Sequence, residues 1–108
     1  MTLIINKPNY TIPSGDHNFD PQQVSGDKAI VQVVYSGIDT SDVQLELHQS
    51  VAGASYDLIE DTAVVIDKAK PSHSWNVRGL VPGVFLRVKV VKGTATAGVI
   101  DSISYLYE

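Results

Sequence analysis

The sequence contains no cysteine among its 108 residues. Without thiols the chain cannot form a disulfide, a thiolate nucleophile, a cysteine-ligated zinc site or an iron–sulfur cluster. This absence does not indicate a compartment, because a thiol-free chain folds equally well in reducing and oxidising surroundings. Several classes of enzyme and metalloprotein are therefore excluded, while the location stays open.

Positive charge and long apolar runs are also scarce. Eight Lys and Arg stand against 12 Asp and Glu, which gives a net charge of −4. Without a basic cluster, nucleic acid is not an expected partner. No apolar run approaches the ~20 residues that cross a bilayer. The segment Met1–Lys7 has an apolar run of only three residues with no positive charge ahead of it. We therefore expect neither a signal peptide nor a membrane partner.

The residue patterns of catalysis and metal binding are missing as well. His17, His48 and His73 are too far apart for the HxH or HExxH spacings of metal sites. The carboxylates within 39–42 and 57–61 lack the spacing of a calcium loop and are expected in solvated loops. No GxSxG elbow or phosphate-binding loop occurs. The expectation is a protein that is not an enzyme, with no catalytic residue, no metal and no cofactor.

The most informative pattern present is a two-residue alternation of apolar and polar side chains. It is clearest in Val43–His48, while Ala29–Tyr35 is β-branched, apolar on both faces and typical of a central strand. Similar segments with turn residues between them follow at 55–59, 63–66, 73–77, 84–91 and 99–107. About eight short strands at this spacing predict an all-β, single-domain antiparallel β-sandwich of jelly-roll or Ig-like type.

One helical alternative competes with this prediction. Residues 57–70 place Leu58, Thr62 and Val65 on one potential helical face. The β-branched run 64–66 and the following Pro71 disfavour the helix, so strands are expected here. The inward residues of the clearest strands form the predicted core, which comprises Val43, Leu45, Leu47, Trp75, Val77, Leu86, Val88 and Val90.

The chain divides into residues 1–26 and residues 27–108. Pro8, Pro13 and Pro21 interrupt the first part, which is either an N-terminal arm or an edge-strand segment. The second part carries the β-sandwich core. Apolar side chains in the first part, at Leu3, Ile4 and Tyr10, need cover and are candidate contacts with another protein.

A second candidate contact lies on the strand 84–91. Leu86, Val88 and Val90 form its inward set, which leaves Phe85, Arg87 and Lys89 pointing away from the core. Large apolar and arginine side chains are enriched at the centres of protein interfaces. These three residues are therefore predicted to contact another protein.

A carbohydrate-binding module is the alternative. Exposed aromatic rings on a sandwich could stack on sugar rings, and the candidates are Trp75, Phe85, Tyr105 and Tyr107. Trp75 alternates with Val77 on one face, so its interpretation as a core residue is preferred.

The order of segments from about residue 29 onward resembles a small β-sandwich domain found among structural proteins of tailed bacteriophages. The resemblance is carried by the loop 36–42, the strand 43–50, the segment 56–59, and the stretches 74–80, 85–90 and 92–100 before a final strand 101–107. It covers about three quarters of the chain. One departure is the turn Val51–Ala54, where such domains often carry Asp-Gly or Asn-Gly.

The resemblance implies a virion component such as a capsid decoration protein, a head fibre or a tail accessory, with no catalytic residue. The expected function is that of an auxiliary protein on the capsid surface, made in the host cytoplasm and located in the virion. Its expected partners are the major capsid protein or neighbouring copies, and a homo-oligomer is compatible with this function. A glycan partner belongs to the alternative.

Overall fold

The computed structural model describes residues 1–108 and contains two antiparallel β-sheets packed face to face. The strands are β1 (Thr2–Asn6), β2 (Tyr10–Thr11), β3 (His17–Asn18), β4 (Gln22–Gln23), β5 (Lys28–Ser36), β6 (Gln44–Ser50), β7 (Asp57–Leu58), β8 (Val64–Val65), β9 (Ser72–Arg78), β10 (Phe85–Val91) and β11 (Val99–Tyr107). A single 3-10 turn spans Ile12–Ser14. None of these elements is a helix that could span a membrane. The predicted fold class, an antiparallel β-sandwich in one domain, is confirmed.

The two sheets differ in their strand order. Sheet I has the order β1-β11-β5-β9, with β2 continuing beside β11. Sheet II is centred on the pair β10-β6, with β3 and β4 on the far side of β10 and with β7 and β8 on the far side of β6. Every paired neighbour is antiparallel.

The core lies between the sheets, where the alternating apolar residues of both inner faces meet. In sheet II, Leu47 lies opposite Val88, and in sheet I, Val31 lies opposite Trp75. All eight residues predicted for the core are buried. The indole Nε1 of Trp75 donates a hydrogen bond of 2.9 Å to the carbonyl of Thr62, so the one polar atom of this ring is satisfied inside the core.

Residues 57–70 form no helix, and the two short strands β7 and β8 lie here along the edge of β6. The connection between them is held by Thr62, which is buried. Its hydroxyl lies 2.7 Å from the carbonyl oxygen of Ile59 and accepts the Leu47 N–H at 3.2 Å. This side chain fastens the loop to β6, although the strands themselves have only two residues each.

Residues 1–26 form edge strands and connecting turns. β1 pairs with β11, and the prolines fall between the strands, where no ladder hydrogen bond is needed. Ile12, Phe19 and Val24 from this segment are buried in the shared core. Tyr10 and Ile4 are half-buried and pack against that core, so the chain itself covers them in part.

Two loops at one end of the sandwich are joined by carboxylates. Asp39 accepts hydrogen bonds from the backbone N–H groups of Thr96 and Ala97, each at 3.1 Å, and from the Thr96 hydroxyl. Asp42 accepts from the backbone N–H of Thr94 at 3.0 Å and from its hydroxyl at 2.7 Å. These carboxylates lie in exposed loops, as expected, and they also hydrogen-bond the loop 92–98.

The close approach of the loop 92–98 to Asp42 explains why residue 93 is glycine. Gly93 has φ +60°, and a Cβ there would lie 2.7 Å from the carbonyl oxygen of Asp42, so a larger residue would meet both strain and a clash.

Candidate protein-binding surface

The edges of the two sheets are built differently. Each edge of sheet II is broken into strands of two residues, β3 with β4 on one side and β7 with β8 on the other. The edges of sheet I include continuous strands, β1 of five residues and β9 of seven. Each of these two strands pairs on one side only. Sheet I therefore presents two open strand edges of the kind that can pair with another chain.

The outer face of sheet I carries exposed apolar side chains in a row across its strands. Leu3 lies opposite Leu106, which lies opposite Ile30, which in turn lies opposite Asn76. Leu3 and Ile5 are 58% and 54% exposed and Ile30 is 42% exposed, while Leu106 is half-buried. We call Leu3, Ile5, Ile30 and Leu106 the outer patch. It is formed by three strands that are distant in sequence.

Three rows of this face carry no charge, while the row on the other side of Ile30 and Asn76 carries Lys28 opposite Arg78. The row next to that of Leu3 contains Ile5, Ser104, Gln32 and Ser74, and the row after it contains Ser102, Val34 and Ser72. Charged residues are depleted at the centres of protein interfaces, whereas an ordinary solvated face carries them throughout. The outer face of sheet I thus has the composition of a contact surface.

The outer face of sheet II carries the predicted contact residues Phe85, Arg87 and Lys89, and the protein's own side chains cover them in part. A Cβ placed on Gly53 would lie 3.3 Å from the Phe85 ring, so the loop after β6 lies against that ring. The Arg87 guanidinium carbon lies 3.8 Å from the centroid of the Tyr56 ring, in a cation–π contact. Phe85 and Arg87 are therefore half-buried by the chain itself rather than freely exposed.

Lys89 on the same face lies opposite Glu46 on one side and Asn18 on the other. Glu46 itself is within 2.9 Å of the Nε2 atom of His48. Polar and charged side chains on the outer face of sheet II therefore contact one another within the chain.

The six predicted contact residues do not form one surface. Phe85, Arg87 and Lys89 lie outside sheet II, and Leu3 lies outside sheet I, where it belongs to the outer patch. Ile4 and Tyr10 pack against the core.

Sequence reasoning missed Ile5, Ile30 and Leu106. The signal for Ile30 was present in Ala29–Tyr35, which is apolar on both faces. In a sandwich of two layers, one face of every strand points outward, so the second apolar face of β5 has to be exposed or covered by a partner.

Most of the aromatic side chains proposed for sugar stacking are not accessible. Trp75 and Tyr105 are buried, and burial, with a smaller contribution from Tyr56, raises the pKa of the Tyr105 hydroxyl. Tyr107 is half-buried, and its hydroxyl oxygen accepts a hydrogen bond of 3.2 Å from Gln22. Phe85 is partly covered as described. The alternation of the strands turns the first two rings inward, so this aromatic set forms no stacking platform.

A polar cavity opens between the edges of the two sheets, beside the end of β1. Its volume is about 260 Å³, and it is lined by Asn6, Lys7, Pro8, His17, Phe19, Asp20 and Ile103. The ring of His17 stacks on Tyr10 with centroids 4.5 Å apart, and the Tyr10 hydroxyl donates to the carbonyl of Gly15 at 2.7 Å. The cavity thus combines aromatic walls with amide, ammonium and carboxylate groups.

No protein-family model matches the sequence, and no curated protein matches it. Solved structures that share the fold include the following two. One comes from work on Bacillus endospore appendages, described as a family of disulfide-linked pili, with a TM-score of 0.53, 18% identity, and coverage of 98% of this chain and 88% of that one. The other is TmCBM61 in complex with β-1,4-galactotriose, with a TM-score of 0.51, 13% identity, and coverage of 98% and 82%. At these identities the likeness establishes a shared β-sandwich fold.

Proposed function

We propose that this protein is a non-catalytic structural component of a larger particle, and specifically an auxiliary protein that binds the capsid surface of a tailed bacteriophage. The observation that carries the proposal is the group of three uncharged rows on the outer face of sheet I, with exposed Leu and Ile side chains between two open strand edges. In this function the outer patch lies against the major capsid protein or neighbouring copies. The protein acts in the virion and turns over no substrate.

Three further observations support the proposal. The order of segments resembles that of tailed-phage structural domains, and one structural neighbour belongs to a study of pili. The chain folds around its own core, so the outer patch is available for a partner. The disulfide linkage named for those pili is not open to a chain without cysteine.

The test compares two double variants in particles. Ile5→Thr with Ile30→Thr makes the outer patch polar at two sites that are 54% and 42% exposed. Leu58→Thr with Val65→Thr makes the same change on sheet II, at sites that are 47% and 56% exposed. The proposal expects the first pair to lower the copy number in purified particles, measured by quantitative mass spectrometry, and the second pair to leave it unchanged. Equal incorporation of both pairs would contradict it.

A second candidate function, binding of a saccharide, is favoured by the polar cavity beside β1. Sugar sites combine aromatic surface with amide and carboxylate groups, and the cavity brings together His17, Phe19, Asn6 and Asp20. A glycan array would test it, with His17→Ala and Asp20→Asn expected to abolish any signal. His48→Ala is the matched control outside the cavity. A signal that both cavity variants leave intact would reject this candidate.

A further inference from the structure

The two open edges of sheet I lack the features that normally prevent strands from pairing between molecules. Edge strands are usually protected by charged side chains, proline, bulges or short length. β1 has the sequence Thr-Leu-Ile-Ile-Asn, with no charge and no proline. β9 carries its single charged group, Arg78, at its last position. Sheet II protects both of its edges by short strands, so the lack of protection is specific to sheet I.

The outward backbone groups of both edges are unpaired within the chain. β1 pairs with β11 alone, and β9 pairs with β5 alone. No other backbone hydrogen bond of the protein reaches residues 2–6 or 72–78. Each edge therefore offers a row of free N–H and C=O groups that an added strand would satisfy.

The two edges are also complementary in direction. Sheet I is a path of four strands, β1-β11-β5-β9, in which every neighbour is antiparallel, so β1 and β9 run in opposite directions. A second copy in the same orientation brings its β1 beside β9 as the next antiparallel strand. One type of contact then satisfies both edges, whereas a two-fold contact would leave one of them open.

We propose that copies of this chain join head to tail, with β1 of one copy pairing with β9 of the next. The proposal rests on the structural role argued above and names a second copy as the partner of sheet I. The occupant is a second copy because the same chain supplies both halves of the contact, two unprotected edges of opposite direction on one sheet.

The register of this contact follows from the strand lengths. A strand of five residues can lie fully paired against one of seven in three registers. Only the central register keeps outward side chains on the outward face, because a shift by one residue reverses the faces. It places Leu3 opposite Asn76 of the next copy, Ile4 opposite Trp75 and Ile5 opposite Ser74.

This register also extends the outer patch. The row Leu3, Leu106, Ile30 and Asn76 continues into Leu3 of the next copy, and the row that ends at Ser74 continues into Ile5. The two uncharged rows thus repeat from copy to copy without a charged interruption. Because each sheet twists, successive copies are rotated relative to one another, and the product is a twisted chain of subunits.

Disulfide trapping tests the register, because the natural chain has no competing thiol. Leu3→Cys combined with Asn76→Cys should give a ladder of dimers, trimers and longer species on oxidation, and reductant should remove it. The matched control combines Leu3→Cys with Ser72→Cys. Its second thiol lies on the same face and edge but is four residues away, about 13 Å along the strand. That displacement exceeds the roughly 7 Å limit for the Cα separation of a disulfide.

The outcomes are distinct. A ladder from the first pair alone supports the proposal. Monomers from the first pair, or equal ladders from both pairs, overturn it. Dimers from Leu3→Cys alone, formed as fast as the ladder, also overturn it, because they indicate two-fold pairing of β1 with itself.

A second measurement separates self-pairing from particle binding. Ser74→Lys introduces an edge charge, and Val65→Lys is its control on sheet II. In sedimentation velocity, the species that grow with protein concentration should disappear for Ser74→Lys and persist for Val65→Lys. Persistence in both variants would overturn self-pairing.

The trapping result and the particle result together separate the two proposals. A ladder together with absence from particles would reject the virion function. Incorporation without a ladder would retain that function and reject self-pairing.

Discussion

Sheets I and II contribute similar inner faces to one core, but their outer faces and edges differ. Outside sheet II, Arg87 stacks on Tyr56, Glu46 pairs with His48, and both edges are reduced to two-residue strands. Outside sheet I, three rows of side chains lack charge and both edges include long strands. The fold requires only the inner faces, and the proposed contact with another protein rests on this difference between the outer faces.

The largest expected effect is on the free energy of unfolding and comes from the core that the two sheets share. Leu47→Ala removes a fully buried side chain opposite Val88, and the transfer and cavity costs should lower the free energy of unfolding by about 2–5 kcal/mol. Leu58→Ala, at an exposed site on the same sheet, is the control and should cost far less. Urea denaturation measures both, and equal losses would show that the inner face of sheet II is wrongly assigned.

A smaller effect on the free energy of unfolding should come from the Thr62 hydroxyl, which connects the edge of sheet II to β6. Thr62→Val removes a buried hydroxyl and leaves the Leu47 N–H without its partner, at a cost of about 1–3 kcal/mol. Thr11→Val, at an exposed position of β2 in sheet I, should change the free energy of unfolding little. Similar values for the two variants would mean that the loop at residues 59–63 is not fastened through this hydroxyl.

The acid limb of the stability curve should depend on the loops at one end of the sandwich. Hydrogen bonds from the side chains of Thr96 and Thr94 hold the pKa values of Asp39 and Asp42 below the ordinary value of 3.8. A lowered folded-state pKa contributes stability that is complete above the unfolded-state value and is lost as pH falls through the folded-state value. The contribution is therefore present at neutral pH and disappears below about pH 4.

Asp39→Asn and Asp42→Asn should flatten this acid limb in thermal unfolding followed between pH 2 and 7. Asp16→Asn is the control, because its carboxylate accepts a single hydrogen bond, from the Lys92 N–H at 2.8 Å. An unchanged acid limb in both of the first two variants would contradict the assignment.

The smallest effect on folding should come from the outer patch. Ile30→Thr keeps a β-branched side chain on a strand at an exposed position, and its effect on unfolding should stay within about 0.5 kcal/mol. Its effect on association should be larger than that of Val65→Thr on sheet II. A loss of stability comparable to that of Leu47→Ala would show that Ile30 is a core residue.

The two-residue periodicity of the sequence predicted the inner faces, because a strand with one buried face needs an apolar side chain at every second position. The strand at 43–48, the burial of Trp75 and the strand at 84–91 all follow from the alternation. The segments at 55–59 and 63–66 shrink to two residues each, because only a small part of each pairs with β6.

The outer surface could not be predicted in the same way. The cover over Phe85 comes from a loop more than 30 residues away, and no local pattern encodes that contact. The outer patch likewise requires the order β1-β11-β5, which joins both ends of the chain to its middle. The interpretation of Ala29–Tyr35 as a central strand was right about its place in the sheet, but it left the outward side of Ile30 unexplained.

The pairing of β1 with β11 also has a kinetic consequence. Thr2 lies opposite Tyr107, so this ladder closes a loop of about a hundred residues. Closing so long a loop carries an entropic cost before any contact repays it, and sandwiches dominated by such contacts fold in milliseconds to seconds. We therefore expect β1 to join after the β5-β11 and β6-β10 pairs have formed. Until then, the strand Thr-Leu-Ile-Ile-Asn remains outside the folding domain.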